Sequence, residues 1–274
     1  MIGTIFAQDF RATRKTLATT VGILLIVTAV SLVLAALNVP VLGGFGLVLA
    51  IIASILITPI VLGLLAENYW RTMYGREGYF TMALPVGGRA LFAAKVLYGA
   101  TMAVAALAMT AVALVACAAA LAISTDQGVV EFLRAGFDEI DAAMFWLIAG
   151  SILLQILYLV VVGAGLMSVG ARARFNHLGF GAPVIGAVLM YVVVTVTGFA
   201  AMLFVPLGVR LTGPDTGTLV AEGMFRTFAD EVTGRTSTDA PEVFGLGILL
   251  VSVIATCVFA WWGARSVARH TSLR

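Results

Sequence analysis

Charge is scarce in this chain of 274 residues, where Asp, Glu, Lys and Arg make up 11% of the total. Typical soluble domains carry about 25% charged residues. Hydrophobic residues reach 61%, and the mean hydropathy is +1.09. This composition excludes an ordinary soluble domain and predicts an integral membrane protein. We expect the lipid bilayer as its surroundings and no nucleic-acid partner.

The residue patterns of enzymes and nucleotide-binding proteins are also missing. The sequence has no Gly-x-x-x-x-Gly-Lys-Ser/Thr phosphate loop. Cys117 and Cys257 each lie alone within an apolar run, where they are expected to act as small fillers, and His177 and His270 are isolated. These positions match neither metal-ligand spacing nor a nucleophile–base pair. We therefore expect a chain that is not an enzyme by itself and that binds no cofactor or metal.

Long charge-free runs indicate how the chain crosses the membrane. A spanning helix needs about 20 apolar residues, and the sequence offers six such runs, which predicts an all-α membrane domain occupying residues 1–274. The predicted spans are Leu17–Leu37, Gly44–Ala66, Ala94–Ile123, Ala143–Gly170, Gly179–Leu207 and Val243–Ala264.

The middle of each predicted span lacks ionisable residues. Carriers coupled to ions or protons commonly place such residues at that depth, so a secondary transporter is disfavoured. Gln155 and Tyr158 are the most polar pair within a span. Two interpretations stay open for this pair: hydrogen bonding between helices, or a position along a substrate path.

The segment 1–16 precedes the first predicted span and has the pattern of an amphipathic helix. We expect an interfacial helix leading into the span; the alternative is a disordered basic tail. The apolar positions are Ile2, Ile5, Phe6, Phe10 and Leu17, and the polar positions are Gln8, Asp9, Arg11, Arg14 and Lys15.

Loop charges predict the orientation. If both termini are cytoplasmic, twelve of the 16 Lys and Arg residues but only three of the 14 Asp and Glu residues lie inside. Short cytoplasmic loops carry such an excess of basic residues. The sequence therefore predicts a multi-pass protein with both termini in the cytoplasm.

One composite segment, GREGYFTMALPVGGR, lies between the second and third predicted spans at residues 75–89. Leu84-Pro85 predicts a turn, because proline restricts its own φ and disfavours helix at the preceding residue. Tyr79 and Phe80 would form a short apolar surface together with Met82. We interpret the segment as an exposed docking helix; the alternative is a hairpin loop whose rings anchor in lipid headgroups.

The segment Glu77–Arg89, together with Lys95, resembles the Glu-Gly-Tyr-Leu-Thr-x-x-Leu-Pro-Val-Ser-x-x-x-Leu-x-x-x-Lys pattern of permease subunits of type-2 ABC exporters. It departs from that pattern at Phe80, Met82 and Gly87-Gly88. The resemblance covers about twenty residues. It implies a cytoplasmic coupling helix within residues 67–93 that contacts an ATP-binding subunit. The implied contact residues are Glu77, Gly78, Tyr79, Phe80, Thr81, Leu84, Pro85 and Arg89.

The same resemblance implies an N-terminal elbow helix at 1–16 and a complex of two permease chains, identical or paralogous, with two copies of the ATP-binding subunit. ATP and Mg would be held by those subunits. The permease would export an amphipathic or lipophilic substrate, such as a peptide, a drug or a lipid-like molecule. Transport would cross a bacterial plasma membrane by alternating access. Two rival functions stay open: a membrane sensor or assembly factor that transports nothing, and a secondary transporter or channel acting alone.

The extracellular loops at 124–142 and 208–242 carry most of the acidic residues. Val129–Met144 and the stretch with Phe225 and Phe228 keep apolar residues at helical spacing. We expect short amphipathic helices there, resembling the outer gate of the type-2 family; the alternative is a solvated acidic loop. The second cytoplasmic loop, Ala171–His177, is basic, and it is either a lesser contact with the ATPase or a plain hairpin.

Overall fold

The computed structural model of the chain describes residues 2–36, 41–75, 77–83, 85–138, 141–210, 217–233 and 243–269. The helices are α1 (Ile2–Ala36), α2 (Leu42–Met73), α3 (Gly78–Met82), α4 (Gly88–Ser124), α5 (Val129–Asp138), α6 (Ala142–Gly170), α7 (Gly181–Phe204), α8 (Phe225–Val232) and α9 (Gly247–Arg269), with a 3₁₀ turn at Ala173–Leu178. The strands are β1 (Gly208–Arg210), β2 (Leu219–Val220) and β3 (Val243–Gly245).

Six of these helices are long and apolar enough to cross a membrane: α1, α2, α4, α6, α7 and α9. They correspond one for one to the six predicted spans. The prediction of a helical membrane protein with six spans is therefore confirmed. The helices extend beyond the predicted runs at most ends, because a helix can continue past the apolar segment into polar residues.

The first helix has no break between the segment 1–16 and the first predicted span. Within it, Ile5, Asp9, Thr13 and Leu17 are all buried. Their four-residue spacing places them on one face of a helix, and that face continues across the predicted boundary. The segment is thus helical as expected but is not a separate element, and its interfacial position stays a prediction.

The described chain divides into two compact units. The first comprises the described residues of 2–138 together with Val267–Arg269, and the second comprises the described residues of 141–266. In the first unit, α1, α2 and α4 pack against one another. Small residues line their contacts, and a Cβ placed on Gly46 would lie 2.7 Å from the Ser31 carbonyl oxygen. The close approach of α1 and α2 therefore requires glycine at this position.

Side-chain hydroxyls also connect α2 with α4. Thr58 Oγ1 and Thr110 Oγ1 lie 2.8 Å apart, and Ser54 Oγ lies 3.7 Å from Cys117 Sγ. All four residues are buried. Cys117 therefore has the small filling role expected of it, whereas Cys257 is exposed.

The second unit contains α6, α7, α8, the strands and α9 up to Ser266. Its buried apolar cluster joins Tyr158 and Val162 of α6 to Ala255 and Phe259 of α9. Gly165 allows this contact, because a Cβ there would lie 2.9 Å from the Phe259 carbonyl oxygen.

A small antiparallel sheet was not foreseen in the segment between α7 and α9. Its strand order is β2-β1-β3, and Val209 pairs with both Leu219 and Phe244. The prediction that the last span begins at Val243 is therefore wrong by four residues: Val243–Gly245 is the third strand, and α9 begins at Gly247. Strands this short leave too few alternating residues for a period of two to be recognised.

The two predicted amphipathic helices are present in part. The stretch Val129–Met144 is not one helix, because α5 ends at Asp138 and Met144 lies in α6. Asp141 caps the start of α6, where its Oδ1 accepts a hydrogen bond of 2.7 Å from the Ala143 amide. The second helix is α8, which contains Phe225 and Phe228.

The glycine contact between α1 and α2 predicts opposite effects at two neighbouring sites. Gly46→Ala should lower the free energy of unfolding by about 1–3 kcal/mol, because the added methyl group overlaps the Ser31 carbonyl. Gly44→Ala is the matched control: nothing lies within 4 Å of its Cβ position, so it should be neutral or stabilising by up to about 1 kcal/mol. Unfolding in SDS titrations measures both, and equal effects would contradict the packing described.

Candidate functional site

The loop between α2 and α4, residues 74–87, contains the short helix α3. The side chains of Tyr79 and Phe80 are 59% and 80% exposed, whereas Gly78 and Thr81 are buried. One face of α3 therefore packs against the protein while its two aromatic rings project outward. The short exposed helix expected in this segment is present.

The remaining predicted contact residues lie around α3. Glu77 precedes the helix, and its Oε1 lies 3.4 Å from Arg71 Nε in an ion pair with both side chains about half exposed. Pro85 and Arg89 are also exposed, and Leu84 lies outside the described residues. The structure thus brings Glu77, Tyr79, Phe80, Pro85 and Arg89 to the surface of one loop and its flanking helix end.

Gly88, one of the departures from the family pattern, has a structural reason. A Cβ at this position would lie 2.8 Å from the Val267 carbonyl oxygen. The start of α4 therefore approaches the last turn of α9 too closely for any larger residue. This contact lies within the first unit, to which Val267–Arg269 belongs.

A buried ion pair lies at the same ends of α2 and α4 that carry the loop. Lys95 Nζ donates to Asp9 Oδ1 at 2.6 Å, and the two side chains are 5% and 4% exposed. Lys95 Nζ also donates to Thr72 Oγ1 at 3.0 Å. A single ammonium group therefore joins α1, α2 and α4.

Two further residues extend this network along α1. Thr13 Oγ1 donates to the Asp9 carbonyl oxygen at 2.9 Å and is hydrogen-bonded to the Tyr98 hydroxyl. The Tyr98 ring also meets Phe6 edge to face, with ring centroids 5.3 Å apart. We call Asp9, Thr13, Thr72, Lys95 and Tyr98 the buried polar network.

The network was missed at the sequence level, where Asp9 was assigned to the polar face of an interfacial helix. That assignment is wrong for Asp9, which the structure buries among helices. Its spacing from Ile5, Thr13 and Leu17 was the available signal, because all four fall on one helical face. A charged residue on a helix near the chain end usually faces solvent, and the partner that permits burial of Asp9, Lys95, is 86 residues away in sequence.

Gln155 and Tyr158 line a cavity of about 550 Å³ in the second unit, formed by α6, α7 and the start of α9. Tyr158 is 7% exposed, and Gln155 is exposed. Within the described part of the chain, neither side chain hydrogen-bonds to another helix, and both interpretations of this pair stay predictions.

Phe225 and Phe228, the proposed outer-gate residues, attach α8 to the end of α7. Phe225 stacks on Phe204 with centroids 5.2 Å apart, and Phe228 meets Phe199 edge to face at 5.8 Å. The basic loop after α6 is likewise tied down, because Arg172 Nε donates to Ser266 Oγ at 3.0 Å and its guanidinium lies over the Trp262 ring. These contacts fix both elements to helices of the second unit.

Comparisons of this chain with protein-family models, with curated proteins and with solved structures find no match.

The buried polar network predicts an asymmetry between charge variants. Lys95→Met leaves the Asp9 carboxylate buried without its partner and should lower the free energy of unfolding by about 3–5 kcal/mol. The double variant Asp9→Leu with Lys95→Met removes both charges and should recover most of that loss. SDS titration and thermal melting of the purified protein provide the measurement.

Glu77→Gln is the control, because it breaks an ion pair that is half exposed and should cost at most about 1 kcal/mol. If Lys95→Met is no more destabilising than Glu77→Gln, the Asp9–Lys95 pair does not hold these helices together.

Proposed function

We propose that this chain is the transmembrane permease subunit of an ATP-driven exporter of the type-2 ABC class. The observation that carries the proposal is the α2–α4 loop, which presents Tyr79 and Phe80 on a short helix whose opposite face is buried. The resemblance of Glu77–Arg89 to the coupling segment of such permeases supports the same conclusion.

Exposed aromatic side chains on an anchored element suit docking to another protein. Aromatic residues are enriched among those that dominate binding energy, and they act by filling pockets on the partner. Tyr79 and Phe80 are adjacent, and Glu77 and Arg89 place charge of both signs at the edge of the surface. An ATP-binding subunit with an apolar groove and a polar rim would fit this arrangement.

The buried polar network supplies a way for docking to move the membrane helices. Lys95 and Thr72 lie at the α4 and α2 ends that flank the loop, and both are linked to α1 through Asp9. A displacement of α3 would therefore move α1, α2 and α4 together, because the hydrogen bonds of the network connect them. Rigid-body motion of such a group is a common form of switching transition.

In this proposal, two permease chains, identical or paralogous, enclose the transport path, and two ATP-binding subunits carry ATP and Mg. The chain itself performs no hydrolysis. Both termini and the α2–α4 loop lie in the cytoplasm of a bacterial cell, as the distribution of Lys and Arg supports. The cargo is amphipathic or lipophilic, in keeping with span interiors that lack charge.

Loss of the Phe80 ring should uncouple the permease from its ATPase. Phe80→Ala should weaken complex formation, or the ATP hydrolysis of the assembled complex, by about tenfold or more, as expected for a central aromatic contact. Tyr79→Ala should act in the same direction. The measurement is ATPase activity after co-purification with the ATP-binding subunit and reconstitution in vesicles.

Phe45→Ala is the matched control for this test. Phe45 is also an exposed phenylalanine, at 67%, but it lies near the opposite end of α2. It should leave both complex formation and ATP hydrolysis unchanged. If Phe80→Ala behaves like Phe45→Ala in a complex that does form, the loop is a headgroup anchor or a sensor surface. If no ATP-binding subunit associates, a sensor or a stand-alone transporter replaces the exporter proposal.

Cysteine labelling tests the orientation separately. In a chain carrying Cys117→Ala and Cys257→Ala, we expect Gln127→Cys to react with a membrane-impermeant maleimide in intact cells. Phe80→Cys should react only after the cells are permeabilised, because the two positions lie beyond opposite ends of α4. The reverse pattern would remove the α2–α4 loop from the cytoplasm and with it the docking proposal.

A further inference from the structure

The cavity lined by Gln155 and Tyr158 has the composition of a ligand site. Its volume of about 550 Å³ lies within the range of small-molecule pockets, about 300–1,000 Å³. None of the described residues that line it is charged. Most lining residues are apolar, and Met190 and Met202 add flexible side chains that adapt to different apolar shapes.

Two polar side chains of α6, Gln155 and Tyr158, line this cavity. Tyr158 is more than nine-tenths buried, and within the described part of the chain its hydroxyl makes no hydrogen bond. Gln155 lies three residues earlier on α6, hence on the same helical face, and its amide also lacks a partner among the described residues. Because the bilayer core offers no water as a partner, a ligand with a hydroxyl or carbonyl group would gain hydrogen bonds from these two side chains.

The position of these two residues limits the chemistry of the ligand. They lie near the middle of α6, far from both ends of the span. A charged group at that depth is costly without a countercharge, and the lining residues offer none. On α7 the cavity reaches the surface of the chain, because its lining residue Tyr191 is 71% exposed.

From these observations we propose that the cavity of α6, α7 and α9 binds an uncharged membrane lipid whose hydroxyl or carbonyl group hydrogen-bonds to Tyr158 and Gln155. The apolar part of the lipid lies against the methionines and the aliphatic residues of α7. The site belongs to one chain and requires no ATP-binding subunit, so the proposal goes beyond the exporter function and does not rest on it.

Gly163 offers a way to fill the cavity without disturbing the fold. It lines the cavity, and a Cβ at this position would meet no atom within 4 Å. Leucine is also a better helix former than glycine. Gly150 is the matched control, because it lies on the same helix with equally open space at its Cβ and does not line the cavity.

The test uses the purified chain alone in phosphatidylcholine nanodiscs and a hexadecanol analogue that carries a chain diazirine and a terminal alkyne. After irradiation, labelled peptides should come from α6, α7 and α9. Hexadecanol should compete for labelling at least about tenfold better than hexadecyl phosphate, which brings a charge to the same depth. It should also compete about two- to tenfold better than hexadecane, which lacks the hydrogen bond.

Three variants decide between the outcomes. Gly163→Leu should reduce labelling at these peptides about tenfold or more, whereas Gly150→Leu should leave it unchanged. Tyr158→Phe, which removes only the hydroxyl, should raise the hexadecanol concentration needed for half competition about two- to tenfold.

Equal competition by hexadecanol and hexadecane, or labelling that Gly163→Leu does not affect, would overturn the proposal. So would cross-links in which a second copy of the chain occupies the cavity in place of lipid. The ATP-binding subunit takes no part in this experiment, so its result is independent of the ATPase measurement.

Discussion

The ammonium group of Lys95, through Asp9 and Thr72, joins three helices whose other buried residues include many alanines, serines and threonines. In a bilayer, apolar contacts between helices gain little from exclusion of water, because lipid tails are as apolar as the helices. Polar groups that find partners only in one arrangement therefore select that arrangement. The ammonium group of Lys95 meets α1 through Asp9 and α2 through Thr72, which makes α1, α2 and α4 one group beneath the α2–α4 loop.

This constraint connects the loop to its proposed role. A docking helix transmits force only if its supports do not yield, and α3 packs against α2, which the buried polar network ties to α1 and α4. Glycines at close contacts add to the effect, since Gly46 and Gly88 each face a backbone carbonyl at less than 3 Å from their Cβ positions. In the proposed mechanism, the aromatic surface formed by Tyr79 and Phe80 moves together with the helices that carry it.

The second unit is organised differently. Its helices border a cavity of about 550 Å³ next to the buried cluster of Tyr158, Val162, Ala255 and Phe259. Gln155 and Tyr158 line that cavity and make no hydrogen bond within the described residues. The polar side chains of Tyr158 and Gln155 in this cavity are the basis for the lipid that we propose to bind there. In the two proposals, the first unit transmits the motion of the docked ATP-binding subunit, and the second unit binds a lipid.

The sequence by itself determined the membrane class, the six spans and the short helix after the second span. The length and apolar content of each run indicate the spans, and the turn residues near Leu84-Pro85 indicate the end of the short helix. All of these signals lie within short stretches of sequence. Only the tertiary structure decided that Asp9 is buried, that Val243–Gly245 forms a strand, and that Gln155 and Tyr158 line a cavity. Each of these depends on residues distant in sequence, such as Lys95 for Asp9, and no local pattern specifies such a partner.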